Sequence, residues 1–174
     1  MTTTNKPQRL TLIRHANAEH DSSVRDFERP LSRKGHNEAS EMARRFQERG
    51  LVPELILVSA AVRARETAAT FAKVLGVAAR RLQAEDSLYL ADGEYIIETI
   101  RATGPRIGHL MVIGHNPGIS AAAISLAPEA VTNDLPTCGT LTMTVDCATW
   151  KLIDRRCVRD TERDSPRRFF DFGS

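Results

Sequence analysis

Short apolar runs separated by longer amphipathic stretches dominate the chain from Arg9 to Leu126. RLTLI at 9–13 predicts a strand, and LILV at 55–58 and LMVI at 110–113 are the continuous apolar runs typical of strands covered on both faces. A weaker strand is predicted near 80–84.

Four helices are predicted between and after these strands, because apolar residues recur there at helical spacing. Polar or proline residues mark their starts: Ser32 and Asp92 are suited to cap helices, and Asn116 is suited to cap one that has Pro117 at its first position. The expected helices run from about 33 to 49, 62 to 75, 93 to 103 and 117 to 126.

The pattern changes after Pro136. Leu141, Met143 and Val145 alternate with polar residues, and residues 150–153 follow as a second strand beside them. Strands that alternate with helices indicate an α/β fold, a three-layer α/β/α arrangement with a mainly parallel central sheet and antiparallel strands near the C-terminus. We expect one domain over residues 1–174, with any loosely ordered residues at 1–8 and 160–174.

Composition narrows the class of protein. Lys and Arg total 24 against 22 Asp and Glu, a balance unlike that of a nucleic-acid binder. The three cysteines lack C-x-x-C spacing, which suits a reducing compartment and argues against a zinc site. No apolar run reaches membrane-spanning length and the first eight residues are polar. We therefore expect a cytoplasmic protein with neither nucleic-acid nor membrane partners.

Polar residues that do not belong in a core follow three of the predicted strands. Arg14 and His15 follow the first, Ser59 and Arg63 follow LILV, and His115 follows LMVI. Ligands of open parallel sheets bind outside the carboxyl ends of the strands. These distant positions are therefore predicted to meet around one crevice.

The residue types in this crevice suit phosphoryl chemistry. Arg14 and Arg63 offer planar forks that match phosphate oxygens. Their positive charge favours neutral imidazoles, and a neutral His15 could attack phosphorus while His115 donates to the phosphoryl oxygens. This chemistry requires no metal or cofactor, and we expect none.

Four motifs in order along the chain resemble the histidine phosphatase superfamily, the phosphoglycerate-mutase-like proteins. They are LTLIRHA at 10–16, RPLSRKGHNEA at 29–39, SAAVRARETA at 59–68 and VIGHNPG at 112–118. The small size and the second and fourth motifs resemble the SixA-like phosphohistidine phosphatase branch. The resemblance implies that His15 is the phosphorylated nucleophile, that Arg14 and Arg63 bind phosphate, and that His115 is the second catalytic histidine.

Two departures from the family pattern follow His15. Ala16 replaces the usual glycine, and Ala18 stands where a polar residue is common, so Asn17 is the candidate for the missing phosphate contact. The resemblance also implies a general acid, for which Glu85 is the nearest candidate, with Asp86 and Asp92 as rivals.

The predicted function is a phosphatase that acts through a phosphohistidine intermediate. A phosphohistidine in a protein, such as a phosphorelay domain, is the favoured substrate, because an imidazole leaving group needs little proton donation. Two alternatives stay open: a phosphatase for a small phosphoester with the same site, and a non-catalytic module that binds phosphoproteins.

Overall fold

The computed structural model describes residues 7–166, which form six strands and four α-helices. In chain order they are β1 (Gln8–Arg14), α1 (Arg33–Glu48), β2 (Leu55–Ser59), α2 (Val62–Leu75), β3 (Leu82–Glu85), α3 (Gly93–Arg101), β4 (His109–Gly114), α4 (Gly118–Leu126), β5 (Thr140–Val145) and β6 (Val158–Asp164).

The strands form one mixed sheet in the order β3-β2-β4-β1-β5-β6. The first four strands of that order are mutually parallel, whereas β5 is antiparallel to β1 and β6 is antiparallel to β5. The predicted α/β fold with antiparallel C-terminal strands is confirmed. Because β1 to β4 are parallel, their carboxyl ends lie along the same edge of the sheet.

Each face of the sheet carries its own apolar core. On one face, Met42 and Phe46 of α1 pack with Phe71 of α2 and with Ile13 and Ile113 of the sheet. On the other face, α3 and α4 pack on strand residues such as Leu12 and Val112. Neighbouring residues in a strand point to opposite faces, so a strand between two helical layers buries both sets of side chains, which favours a continuous apolar run.

The starts of α1 and α3 match the predicted caps, because Ser32 accepts from the Gly35 amide and Asp92 accepts from the Tyr95 amide. The predicted cap of α4 is wrong by one residue. Pro117 occupies the cap position of α4, and the Asn116 side chain contacts Leu135 and Ser120.

The predicted strand at 150–153 is also wrong. Trp150–Leu152 forms a short 3-10 helix, in which the buried Trp150 donates to the carbonyl of Ile107 at 2.8 Å. The strand beside β5 is β6, whose sequence VRDTERD has no apolar alternation because it lies at the exposed edge of the sheet.

The expectation of loosely ordered termini covers some residues that lie in strands. Gln8 is a buried residue of β1, and residues 160–164 lie in β6. Residues 1–6 and 167–174, also included in that expectation, lie outside the described range.

Residues 7–166 contain no helix that is long and apolar enough to cross a membrane. They also contain no group of three or more His, Cys, Asp or Glu side chains placed to hold a metal ion.

Candidate active site

The two histidines that follow β1 and β4 meet at the carboxyl edge of the sheet. Arg14 pairs with Gly114 in the β1–β4 register, and the amide of His15 donates to the Gly114 carbonyl at 3.0 Å. The ring centroids of His15 and His115 are 5.0 Å apart. The parallel pairing of two strands nearly a hundred residues apart therefore brings these rings together.

The His15 ring is fixed by its own backbone neighbour. Nδ1 lies 2.7 Å from the carbonyl oxygen of Ala16, an acceptor, so Nδ1 carries the proton and Nε2 keeps its lone pair. Nε2 lies 3.3 Å from Nε of Arg63, which donates to it. This tautomer presents an unprotonated nitrogen to the centre of the site.

His115 is held from the opposite side by Ser59, the last residue of β2. Nε2 of His115 lies 2.7 Å from the Ser59 hydroxyl oxygen, and Nδ1 lies 3.3 Å from Nη2 of Arg63. Since the guanidinium can only donate, Nδ1 is the acceptor and Nε2 is the protonated nitrogen that donates to Ser59.

Arg63 links both imidazoles to the loop between β1 and α1. It lies in the first turn of α2, as predicted, and is only 3% exposed. Its Nη1 donates to the backbone carbonyl of Asp26 at 2.6 Å, and Nη2 donates to the Asp26 carboxylate at 3.0 Å. Every nitrogen of this guanidinium therefore contacts a group of the site.

Arg14 is anchored by the segment that precedes β5. Its Nη1 donates to the carbonyl of Leu135 at 3.1 Å, the same carbonyl that accepts from the Asn116 amide. Ser120 accepts from the Leu135 backbone amide and donates to Asn116, which closes the network. Nε of Arg14 is buried and has no hydrogen-bond partner among residues 7–166.

Asp26 and Tyr89 belong to this site, although nothing in the sequence singled them out. The Tyr89 hydroxyl donates to the Asp26 carboxylate at 2.6 Å. The Tyr89 ring lies 5.5 Å from that of His115 and 4.9 Å from that of Phe27, edge to face in both cases. Both residues come from loops whose path over the sheet edge cannot be inferred from apolar periodicity.

The loop that carries Asn17 lies directly on α1. The backbone amide of Asn17 donates to the buried Glu38 carboxylate at 2.8 Å, and its side-chain oxygen accepts from Ser32 at 2.6 Å. A Cβ on Gly35 would lie 1.9 Å from the Asn17 carbonyl oxygen, so only glycine permits this approach. The Asn17 side chain thus bonds to the start of α1 and not to a histidine or arginine of the site.

Glu85 ends β3, where it is paired with Ser59 of β2. Its backbone carbonyl accepts from the Ala60 amide at 3.2 Å. Within the described range, no hydrogen bond or ion pair involves the Glu85 carboxylate. The structure therefore brings Glu85 to the correct edge of the sheet without joining its side chain to the histidines.

Both site histidines are neutral at physiological pH. Burial, followed by the charges of Arg63 and Arg14, lowers the pKa of His15 to about 4. Burial, the neighbouring His15 and then Arg63 lower the pKa of His115 to about 3. An imidazole in this environment keeps its lone pair, as nucleophilic attack requires.

A third buried histidine lies away from these two. His109, at the start of β4, is hydrogen-bonded through Nε2 to Thr11 at 2.9 Å, and burial lowers its pKa to about 4. Between pH 6.5 and about 4 the unfolded chain binds a proton at each such histidine that the folded chain does not. Stability conferred by the neutral ring is complete above this window and is lost as the pH falls through it.

We therefore expect the free energy of unfolding to fall between pH 6.5 and 5, by up to ~1.4 kcal/mol per pH unit for each buried histidine. Urea unfolding at pH 7, 6 and 5 measures this slope. His109→Gln, which cannot titrate, should reduce this slope. A free energy that stayed constant down to pH 5 would contradict the neutral assignments.

Comparison with known proteins matches this geometry to a family. The model of the histidine phosphatase superfamily, branch 1, matches residues 10–88. A structure from Agrobacterium tumefaciens, provisionally assigned as the phosphohistidine phosphatase SixA, is 30% identical with a TM-score of 0.74, over 80% of this chain and 92% of that one. The chain belongs to the histidine phosphatase superfamily. Membership supports a phosphatase, and therefore a hydrolase.

Two further relatives of this superfamily member are uncharacterized proteins. One from Mycobacterium tuberculosis is 30% identical over 155 residues, which are 84% of this chain and 94% of that protein. A chloroplastic protein of Arabidopsis thaliana is 36% identical over 140 residues, which are 75% of this chain but only 63% of the plant protein.

Proposed function

We propose that the protein is a phosphatase that removes the phosphoryl group from phosphohistidine in a protein and carries it on His15. One observation above all supports the proposal: the unprotonated Nε2 of His15 points to the Nε of Arg63, 3.3 Å away, beside a second neutral histidine. A nucleophile and a phosphate-binding fork are thereby joined in one pocket.

The first chemical step is attack of the His15 Nε2 lone pair on phosphorus. The nitrogen–phosphorus bond of the substrate breaks as the new bond to Nε2 forms. The substrate imidazole departs as a neutral ring when its other nitrogen carries the proton. Arg14 and Arg63 stabilise the charge on the transferring oxygens.

The second step is hydrolysis of the phosphorylated His15. Water attacks phosphorus, the bond to Nε2 breaks, and inorganic phosphate leaves with the imidazole restored. A phosphoryl dianion near His115 would raise the pKa of that ring, and protonation at Nδ1 would turn it into a donor to the phosphoryl oxygens. Ser59 keeps the ring oriented through Nε2.

The state of Asp26 favours a phosphoramidate over a phosphoester substrate. Among the described residues, Asp26 supplies the only carboxylate hydrogen-bonded to Arg63. Hydrogen bonds from Tyr89, Arg29 and Arg63 hold its pKa far below the ordinary range. An ionised carboxylate cannot protonate an alkoxide leaving group, whereas a neutral imidazole can leave without that proton.

An assay of three substrates tests the proposal. We expect kcat/KM for a phosphohistidine-bearing phosphotransfer domain to exceed that for sugar phosphates by at least about 100-fold. Free phosphohistidine is the matched control, because it shares the leaving group and lacks the protein surface. Its kcat/KM should lie between that of the phosphotransfer domain and that of the sugar phosphates.

The other outcomes each correspond to another function. Turnover of sugar phosphates alone would show a small-molecule phosphoesterase and contradict the proposal. Binding of the phosphorylated domain without release of phosphate would show a phosphoprotein-binding module. Equal turnover of free phosphohistidine and the domain would contradict a role for the protein surface of the substrate.

A further inference from the structure

A carboxylate bonded to a phosphate-binding arginine needs an explanation, because it repels the ligand that the arginine binds. The Asp26 carboxylate lies in such a place, 3.0 Å from the Arg63 guanidinium. It is about half exposed, whereas Arg63 is 3% exposed. A role for this residue goes beyond the proposed function but rests on it.

The guanidinium of Arg63 has two edges that bind different groups. The lateral edge, Nε with Nη2, faces Nε2 of His15 and Nδ1 of His115, each at 3.3 Å. The end, Nη1 with Nη2, faces the carbonyl oxygen and the carboxylate of Asp26, at 2.6 Å and 3.0 Å. Arginine binds oxyanions through such planar pairs of donors, so fixing the end edge fixes the aim of the lateral edge.

Asp26 is itself held from three directions. Its Oδ2 accepts from both Arg63 and Tyr89, and its Oδ1 accepts from two nitrogens of Arg29 at 2.7 Å and 3.0 Å. Arg29 in turn donates to the carbonyl of Glu19 at 2.8 Å. Phe27 packs edge to face on Tyr89, which ties the same turn to the loop after β3.

Two other roles for Asp26 fit these contacts less well. A general acid must carry a proton, and three hydrogen-bond donors keep this carboxylate ionised. A carboxylate that competes with phosphate for Arg63 would occupy the lateral edge, which instead faces the two histidines.

We propose that Asp26 is a positioning residue, which holds the end of the Arg63 guanidinium so that its lateral edge faces the phosphoryl group between His15 and His115. The residue acts through Arg63 and touches neither the phosphoryl group nor the leaving group. Tyr89 supports the same carboxylate through its hydroxyl.

The test compares Asp26→Asn with Glu28→Gln. Glu28 lies in the same 3-10 turn and pairs with the exposed Arg25, so its substitution removes the same charge without touching Arg63. We expect Asp26→Asn to lower kcat on phosphohistidine substrates by about 10- to 100-fold with KM changed less than about threefold. Glu28→Gln should match the wild type, and Tyr89→Phe should show a smaller loss than Asp26→Asn.

The affinity for orthovanadate, measured by calorimetry, shows whether Asp26→Asn strengthens or weakens the binding of an anion. Loss of a negative charge alone would strengthen binding of an anion, whereas loss of Arg63 orientation weakens it. We expect affinity to fall about 10-fold in Asp26→Asn and to be unchanged in Glu28→Gln. Tighter binding in Asp26→Asn would overturn the proposal and indicate competition for Arg63.

A double-mutant cycle shows whether Asp26 acts through Arg63. In an Arg63→Ala background, Asp26→Asn should change residual activity and vanadate affinity by less than about twofold. A further loss as large as in the wild-type background would overturn the proposal. If the wild type hydrolysed no phosphate compound, the proposed function would fail, while the vanadate comparison would still decide the role of Asp26.

Discussion

Replacing His15 with alanine is expected to reduce kcat/KM for a phosphohistidine substrate by at least about 1,000-fold. The substitution removes the Nε2 lone pair that attacks phosphorus in the proposed mechanism. The fold should survive, because the His15 ring is half-buried and its Nδ1 bonds only to the adjacent residue. Steady-state phosphate release and thermal unfolding measure the two effects.

His36→Ala is the matched control for His15→Ala. His36 is exposed on α1 and its side chain makes no hydrogen bond within residues 7–166, so His36→Ala should retain wild-type activity. Retention of more than about a tenth of the activity by His15→Ala would refute the nucleophilic role. A melting temperature far below that of His36→Ala would make His15 a structural residue instead.

Arg63→Ala is the second substitution with a large expected effect, a loss of about 100- to 1,000-fold in kcat/KM. The variant lacks the lateral pair of donors that faces both histidines. It also lacks a charge that lowers the pKa of His15 and of His115, so those pKa values rise and a larger fraction of each ring is protonated near neutral pH. Both changes act against attack by a neutral imidazole.

The pH profile of kcat/KM separates these two causes. The acid limb of the profile for Arg63→Ala should lie at higher pH than that of the wild type, because the pKa of His15 in the free protein has risen. Arg65→Ala, an exposed arginine in the same turn of α2, should shift neither the rate nor the limb. Wild-type kcat/KM and an unshifted acid limb in Arg63→Ala would contradict a role at the crevice.

Most of the fold follows from the apolar pattern because the parallel strands β1, β2 and β4 are largely buried between the two helical layers. The helix predicted at 62–75 has those bounds in the structure, and it ends at Gly76 in the left-handed conformation that glycine adopts freely. Edge strands are different. β6 is exposed along one side, so charged residues occupy it and the apolar signal that reveals a buried strand is missing.

The residues of the candidate site differ in the same respect: those that follow strands could be predicted from the sequence, and those in loops could not. The rule that ligands bind at the carboxyl ends of parallel strands predicted the meeting of His15, Arg63 and His115. Asp26 reaches Arg63 only because the loop after β1 folds back over the sheet edge, and Tyr89 reaches Asp26 from the loop after β3. Contacts of this kind depend on loop path, which residue spacing does not encode.

The central claim is that phosphate is covalently attached to His15 during turnover. Rapid alkaline quenching of the wild type with a phosphohistidine substrate, followed by mass spectrometry and phosphorus NMR, measures that attachment directly, because phosphohistidine survives base and not acid. We predict one phosphoryl group on Nε2 of His15, present in His36→Ala and absent from His15→Ala. Turnover with no phosphorylated histidine, or with the phosphoryl group on another residue, would contradict the account.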